Sequence, residues 1–348
     1  MPHYNYLIIG GGMTADSAVK GIRSIDNNGS IGIIGKELNP PYNRPPLTKG
    51  LWKGKSVDKI WRGTDNQNAE LHLGRTAQKL DPNNKSITDN LGNVYTFDKL
   101  LLATGGKTIK LPFAADNVIY YRTFEDYQHL RELTKSHNKF AVIGGGFIGS
   151  EIAAALSMNG KEVVMIFPSE SIGSRIFPAD LAKFINDYYK DKGVELYTDD
   201  SITDIKAVSD RIELTAKSGR KITADAVVGG IGIKPDTELA ESANINTDNG
   251  IIVDQYLRTN YQHIFAAGDV ANFYNPALDT RIRVEHEDNA NKMGKHVGIV
   301  MAGELKPYNH LPFFYSDLFE LGYEAVGDLD SRLETYSDWK EPFKEGVI

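Results

Sequence analysis

The stretches Tyr6-Leu7-Ile8-Ile9-Gly10-Gly11-Gly12-Met13-Thr14-Ala15 and Phe140-Ala141-Val142-Ile143-Gly144-Gly145-Gly146-Phe147-Ile148-Gly149 decide how this chain is read. Each begins as a short apolar run, the pattern of a strand buried in a parallel sheet, and passes directly into glycines. At such a turn the first small residue, Gly10 or Gly144, permits a tight bend. The second, Gly12 or Gly146, lets the backbone approach a pyrophosphate, and the third, Ala15 or Gly149, lets the next helix pack on the strand. That helix then offers its N-terminal N–H groups and positive dipole end to the phosphates. Behind the first turn Ala15, Val19 and Ile22 share a helical face; behind the second, Ile148, Ile152, Ala155 and Leu156 do. One such motif is a weak signal. Two in one chain suggest two bound dinucleotides and electrons passed between them.

An acidic residue is expected about 20 residues beyond each fingerprint, to hydrogen-bond a ribose hydroxyl. Glu37 follows the strand Ile31-Gly32-Ile33-Ile34 and suits the first site. After Val163-Val164-Met165-Ile166 the acidic position is Phe167, and the nearest carboxylate is Glu170. No arginine stands beside Phe167 to receive a 2′-phosphate, although Arg175 is close in sequence. Glu170 would accept from a free ribose hydroxyl and repel a phosphate, so NADH is expected over NADPH.

The length, 348 residues, implies two or three domains with ample core. A hydrophobic fraction of 41% and a charged fraction of 24% describe a globular chain. The net charge of −7 argues against nucleic acid or an anionic membrane as partner. No apolar stretch approaches the roughly 18 residues of a membrane span. The first strand begins by Tyr6, too early for a signal peptide to precede it, and a cytoplasmic location is the expectation. Cysteine is absent from the sequence, which removes redox disulfides, thiolate nucleophiles and thiolate-held clusters. The histidines are scattered without metal-ligand spacing, so no metal is expected.

Each fingerprint is followed by a similar pattern. Residues 75–103 read as short strands with turns at Asn83-Asn84 and Leu91-Gly92-Asn93, ending in Leu102-Ala103-Thr104-Gly105. Residues 201–232 read as strands broken at Ser209-Asp210 and Ser218-Gly219, ending in Val227-Val228-Gly229-Gly230. These are hairpin signals, and their like placement suggests an internal duplication of one nucleotide-binding unit. Residues 240–305 have no counterpart. From Pro307 onward the chain turns aromatic and strand-like, and about forty residues are too few for a core of their own.

With these motifs together, the chain resembles the flavin-dependent pyridine-nucleotide oxidoreductases of the glutathione-reductase fold, and among them the ferredoxin and rubredoxin reductases and apoptosis-inducing-factor-like proteins. The resemblance rests on both fingerprints, Leu102-Ala103-Thr104-Gly105, Ala266-Ala267-Gly268-Asp269, and Pro41-Tyr42-Asn43-Arg44-Pro45-Pro46-Leu47-Thr48-Lys49. It implies an α/β chain with two Rossmann-like domains, one for FAD (1–111 and 240–306) and one for NAD(P)H (112–239). A short α+β C-terminal domain (307–348), read as incomplete, would follow.

The disulfide-reducing branch of this family carries a redox cysteine pair where this chain has Arg44, three prolines and Lys49. From the residues alone that is a stiff loop presenting a cation, either to a cofactor or to solvent. By resemblance Arg44 contacts the flavin nucleotide and Lys49 lies near the isoalloxazine N5. Gly10, Gly12, Ala15, Glu37, Ala77, Thr104, Gly105, Gly268 and Asp269 would also line the FAD site. Glu285 and His286 open a helix whose N-terminus would face the flavin, unless they only cap it. Tyr315, in the run Phe313-Phe314-Tyr315-Ser316-Asp317, would place a ring near the flavin, although such a run equally fits core. Gly144, Gly146, Gly149, Glu151 and Glu170 would hold NADH. Glu151 lies in the first turn of its helix, where the dipole favours a carboxylate anyway; the resemblance pairs it with Lys49 as the catalytic couple. The implied activity is NADH-dependent reduction of FAD, with electrons leaving to a small iron–sulfur protein, a quinone, a small acceptor or oxygen. The rival expectation is a redox-sensing or scaffolding flavoprotein with slow turnover. A homodimer is compatible with either.

Overall fold

The computed structural model describes residues 1–113 and 117–348. Its α-helices are α1 (Met13–Arg23), α2 (Phe124–Leu133), α3 (Phe147–Met158), α4 (Ala179–Asp191), α5 (Glu238–Ser242) and α6 (Glu287–Met301). The chain forms two compact units. One comprises residues 1–43, 56–107 and 234–314, the other residues 44–55, 108–233 and 315–348. The sequence places the domain boundaries at 111/112 and 239/240; the units change over at 107/108 and 233/234. The segment carrying Lys49 and the tail beyond Phe314 group with the second unit.

In the first unit, strands Ala69–Leu73, Ile31–Gly35, His3–Ile9 and Val94–Leu102 lie side by side in parallel, with Tyr6 opposite Ile31 and Lys99. Ile264–Ala266 extends the sheet in parallel along Leu100–Leu102. The N-terminal half of the same long strand pairs antiparallel with Ser86–Asp89, which turns back to Ala77–Asp81. The apolar runs account for this arrangement: Leu7, Ile8, Ile33, Leu100, Leu101 and Leu102 are fully buried, as strands covered on both faces require.

Helices α1 and α6 cover this sheet in unusually close contact. A Cβ added at Gly21 would fall 2.1 Å from the Lys295 carbonyl oxygen, one at Gly294 2.5 Å from that of Thr14, and one at Gly298 2.1 Å from that of Ala18. Met293 and Val297 of α6 are buried. Nothing in the sequence pattern singles out the glycines beside them.

The second unit repeats the plan. Val194–Tyr197, Glu162–Ile166, Lys139–Ile143, Ala226–Gly229 and Ile119–Tyr120 form a parallel sheet. An antiparallel meander of Ile202–Val208, Arg211–Ala216 and Lys221–Ala224 follows, turning at Ser209 and Gly219. Helix α2 starts at a reciprocal cap, Thr123 accepting from Asp126 N–H while the Asp126 carboxylate accepts from Thr123 N–H. Helix α3 buries Ile152, Ala155 and Leu156, but Ile148, expected on the same face, is 38% exposed at the first turn. The C-terminal stretch is built of two β-hairpins, Phe313–Leu318 with Leu321–Val326 and Asp338–Glu341 with Glu345–Val347.

Candidate nucleotide cradles and a buried ion pair

The first cradle lies where His3–Ile9 meets α1. Gly10 has φ +115°, and a Cβ there would come 2.1 Å from the Ala103 carbonyl oxygen, so the bend and the close approach both demand glycine. Gly12 caps α1 without any side-chain hydrogen bond to the helix N–H groups, and nothing stands within 4 Å of where its Cβ would be. Open space before a helix start with free N–H groups suits a phosphate. Ala15 is fully buried and seats the helix on the sheet.

The first unit also contains most of the residues expected at an FAD site. Glu37 accepts a hydrogen bond from Tyr42 Oη at 2.6 Å. Ala77 packs at the edge of the core, opposite Asp89. Thr104 Oγ1 donates to the Asp236 carbonyl at 2.7 Å, and Gly105, at φ +66°, accepts from Asp236 N–H at 3.0 Å. Gly268, at φ +79°, would bring a Cβ 2.3 Å from Thr14 Oγ1, which ties the Gly268–Val270 turn to the start of α1. Asp269 is half-buried within that turn, its carbonyl accepting from Arg283. Arg283 also pairs with Glu285 at 2.5 Å. His286 is the N-cap of α6, so the helix begins at Glu287 rather than at Glu285; its ring meets Phe314 edge-on at 5.4 Å.

Sequence reasoning missed a charge network in this unit. Asp16, on α1, has no exposed surface and accepts from Lys20 at 2.8 Å, Arg62 Nε at 2.6 Å and Thr64 at 2.7 Å. Arg62 also donates to Asn43, Ser17 and Asn291 of α6. Burial works against the charged form of Asp16, but the partners Lys20, Arg62 and Thr64 outweigh it and hold the carboxyl below the usual carboxylate range. Nothing in the spacing of positions 16 and 62 announces this pairing.

The second cradle lies where Lys139–Ile143 meets α3. Gly144 has φ +116° and faces the Gly230 carbonyl oxygen, 2.4 Å from an added Cβ. Gly146 is an uncapped N-cap with open space around it, like Gly12. At Gly149 a Cβ would fall 2.0 Å from the Gly144 carbonyl oxygen. Phe167, standing where an acid was expected, is buried with its ring 2.9 Å from a Cβ position on Gly145. It packs the underside of the turn. Glu170 is exposed, and its backbone carbonyl accepts from Asn186. Both cradles therefore offer uncapped helix starts and clearances that suit a dinucleotide.

Lys49 and Glu151, both in the second unit, meet as an ion pair at 2.5 Å, with side chains 14% and 5% exposed. Glu151 sits one turn into α3, and Lys49 arrives on the stiff 44–55 loop. That loop is held by Arg44 donating to the Arg122 carbonyl at 2.8 Å, and by Trp52 Nε1 and Tyr121 Oη both donating to the Leu47 carbonyl. The Tyr315 ring lies 5.6 Å from Lys49 Nζ. Two residues the sequence reading passed over, Thr48 and Ser316, also reach Glu151, each at 2.5 Å. Thr48 is adjacent to a residue already singled out, whereas no pattern marks Ser316. Burial, and then the negative charge of Glu151, push the hydroxyls of Tyr189 and Tyr323 up from the ordinary tyrosine range. Among the described residues no group of histidines and carboxylates has the arrangement of a metal site, and no helix is long and apolar enough to cross a membrane.

A family model described as pyridine nucleotide-disulphide oxidoreductase matches residues 4–294, and one described as the C-terminal part of mitochondrion-associated apoptosis-inducing factor matches residues 297–346. The chain is 34% identical to the mitochondrial apoptosis-inducing factor 1 of Dictyostelium discoideum, over 97% of this chain and 70% of that protein. It is 29% identical to a putidaredoxin reductase of Pseudomonas putida, over 93% of this chain and 80% of that protein. Among solved structures, the covalent putidaredoxin reductase–putidaredoxin complex matches with a TM-score of 0.89 and 27% identity, covering 94% of this chain and 82% of that one.

Proposed function

The chain belongs to the pyridine nucleotide-disulphide oxidoreductase family, and on that premise we propose that it is an FAD-dependent NADH oxidoreductase whose electron acceptor is a small iron–sulfur carrier of the ferredoxin kind. The observation that carries the reading is the buried Lys49–Glu151 pair in a chain without a single cysteine. The family is named for a disulphide, yet no thiol here can relay electrons, so they must leave directly from the cofactor. Likeness to a putidaredoxin reductase, solved together with putidaredoxin, supports the choice of acceptor.

FAD, when bound, would supply the redox chemistry between NADH and the carrier. The chain's own residues bind, orient and balance charge. Gly10, Gly12 and Ala15, with the N-terminus of α1, hold the FAD pyrophosphate; Glu37, Ala77, Thr104, Gly105, Gly268, Asp269, Glu285 and His286 shape the rest of that site. Gly144, Gly146 and Gly149 with the start of α3 hold NADH. Glu151 fixes the flexible Lys49 ammonium in place, and that positive charge would balance negative charge arising on reduction. Arg44 and Tyr315 support the same loop and ion pair. Exposed Glu170, with a buried Phe167 in place of an acid, favours an unphosphorylated ribose. A higher specificity constant with NADH than with NADPH is the expected steady-state result, and the reverse order would remove Glu170 from this role.

The decisive experiment is anaerobic titration of FAD-loaded protein with NADH, followed by absorbance, and then mixing with a ferredoxin-type carrier. Stoichiometric bleaching and prompt reoxidation by the carrier are expected. The match of residues 297–346 to the apoptosis-inducing-factor C-terminal part favours a second reading, a redox sensor with slow turnover. A long-lived reduced complex that passes no electrons to any carrier would select it.

A further inference from the structure

Consecutive residues of the strand Phe313–Leu318 take the two ends of one buried ion pair. The Tyr315 ring lies 5.6 Å from Lys49 Nζ, and Ser316 Oγ donates to Glu151 Oε1 at 2.5 Å. Thr48 Oγ1 donates to the other carboxylate oxygen at 2.5 Å. All five residues belong to the second unit, and Ser316, Glu151 and Thr48 are 2%, 5% and 6% exposed.

We propose that Ser316, seconded by Thr48, is a positioning residue for the Lys49–Glu151 pair, so that the C-terminal segment is a working part of the reaction centre. The inference rests on the oxidoreductase reading for the role of the pair, but the contacts stand without it. A lysine ammonium is a point charge on a four-carbon stem, and its position is only as well defined as that of its acceptor. A carboxylate held by one ammonium can still turn about its terminal torsion, which is broad and roughly two-fold. Hydroxyl donors on both oxygens remove that freedom. Ser316 shares Oε1 with Lys49, while Thr48 takes Oε2, so the plane of the carboxylate is set by residues from two further chain segments. The buried tyrosines nearby do not take over this task. Tyr189 gives its hydroxyl hydrogen bond to the Ser150 carbonyl at 3.0 Å, and Tyr323 Oη is buried without a hydrogen-bond partner. Removing the Ser316 hydroxyl therefore leaves Oε1 with Lys49 alone.

The test uses the full chain with Ser316→Ala, which deletes one hydroxyl and little volume, and with the near-isosteric Thr48→Val. In FAD-loaded protein, stopped-flow reduction by NADH should show the limiting rate falling about tenfold in Ser316→Ala, with the NADH dissociation constant moving less than about threefold. In FAD-free protein, the Lys49 ammonium resonance, assigned by its loss in Lys49→Ala, should broaden by exchange with water in Ser316→Ala. A merely structural hydroxyl would lower the melting temperature without singling out either readout. A wild-type limiting rate, or an unchanged Lys49 resonance, would overturn the proposal; if Ser316→Ala does not fold, Thr48→Val is judged by the same two readouts. Wild-type protein that NADH does not reduce would overturn the functional reading instead, and the Lys49 resonance would still decide the positioning.

Discussion

Asp16 is a carboxylate with no exposed surface, and its neighbours define what removing its charge does. In Asp16→Asn, Arg62 loses its Nε partner inside the first unit while Lys20 keeps access to water. Breaking one side of a buried ion pair typically costs about 3–5 kcal/mol, because the other charge is left uncompensated. The expected result is destabilisation of that size at neutral pH, measured by denaturant unfolding. Because the folded pKa of Asp16 is depressed, its contribution is complete above the ordinary aspartate value of about 4 and is lost as pH falls through the lower folded value. The gap between wild type and Asp16→Asn should therefore shrink in acid; a gap constant down to pH 2 would refute the assignment.

Among the elements, α1 and α6 show two different uses of glycine. Gly298 is needed because a Cβ would meet a neighbouring backbone carbonyl at 2.1 Å; Gly12 is needed for nothing within the protein itself, since its Cβ would find open space. Overpacking at Gly298→Ala should cost about 1–3 kcal/mol in FAD-free protein, read from the shift in denaturation midpoint. Gly12→Ala should change FAD-free stability by less than about 1 kcal/mol yet weaken FAD binding, read by flavin fluorescence. If Gly12→Ala binds FAD as tightly as wild type, the open space is not where the pyrophosphate lies. The glycines of the cradles were legible in the sequence because each follows an apolar strand at fixed spacing. Gly21, Gly294 and Gly298 were not, because they answer to a helix that arrives from a distant part of the chain.

On the scale of the whole molecule, the two units each hold a parallel sheet, a cradle and a covering layer. A ligand that binds only the folded form stabilises it by about 2.7 kcal/mol at a hundredfold excess over its dissociation constant. Adding FAD at that excess should raise the melting temperature of the transition that reports the first unit, and NADH should do so for the second. Calorimetry in which neither nucleotide shifts any transition would contradict both cradle assignments. The sequence by itself determined the paired βα cradles, the hairpins that follow them and the absence of thiol chemistry, since these rest on local periodicity, on where glycine is required, and on composition. Tertiary structure alone decided that Phe167 packs beneath Gly145 rather than leaving room for an acid, that Arg62 anchors α1 and α6, and that Glu151 is held by Thr48 and Ser316 as well as Lys49. Those contacts join residues far apart in the chain, and a hydroxyl or a carboxylate carries no mark in the sequence of which distant donor or acceptor will be buried against it.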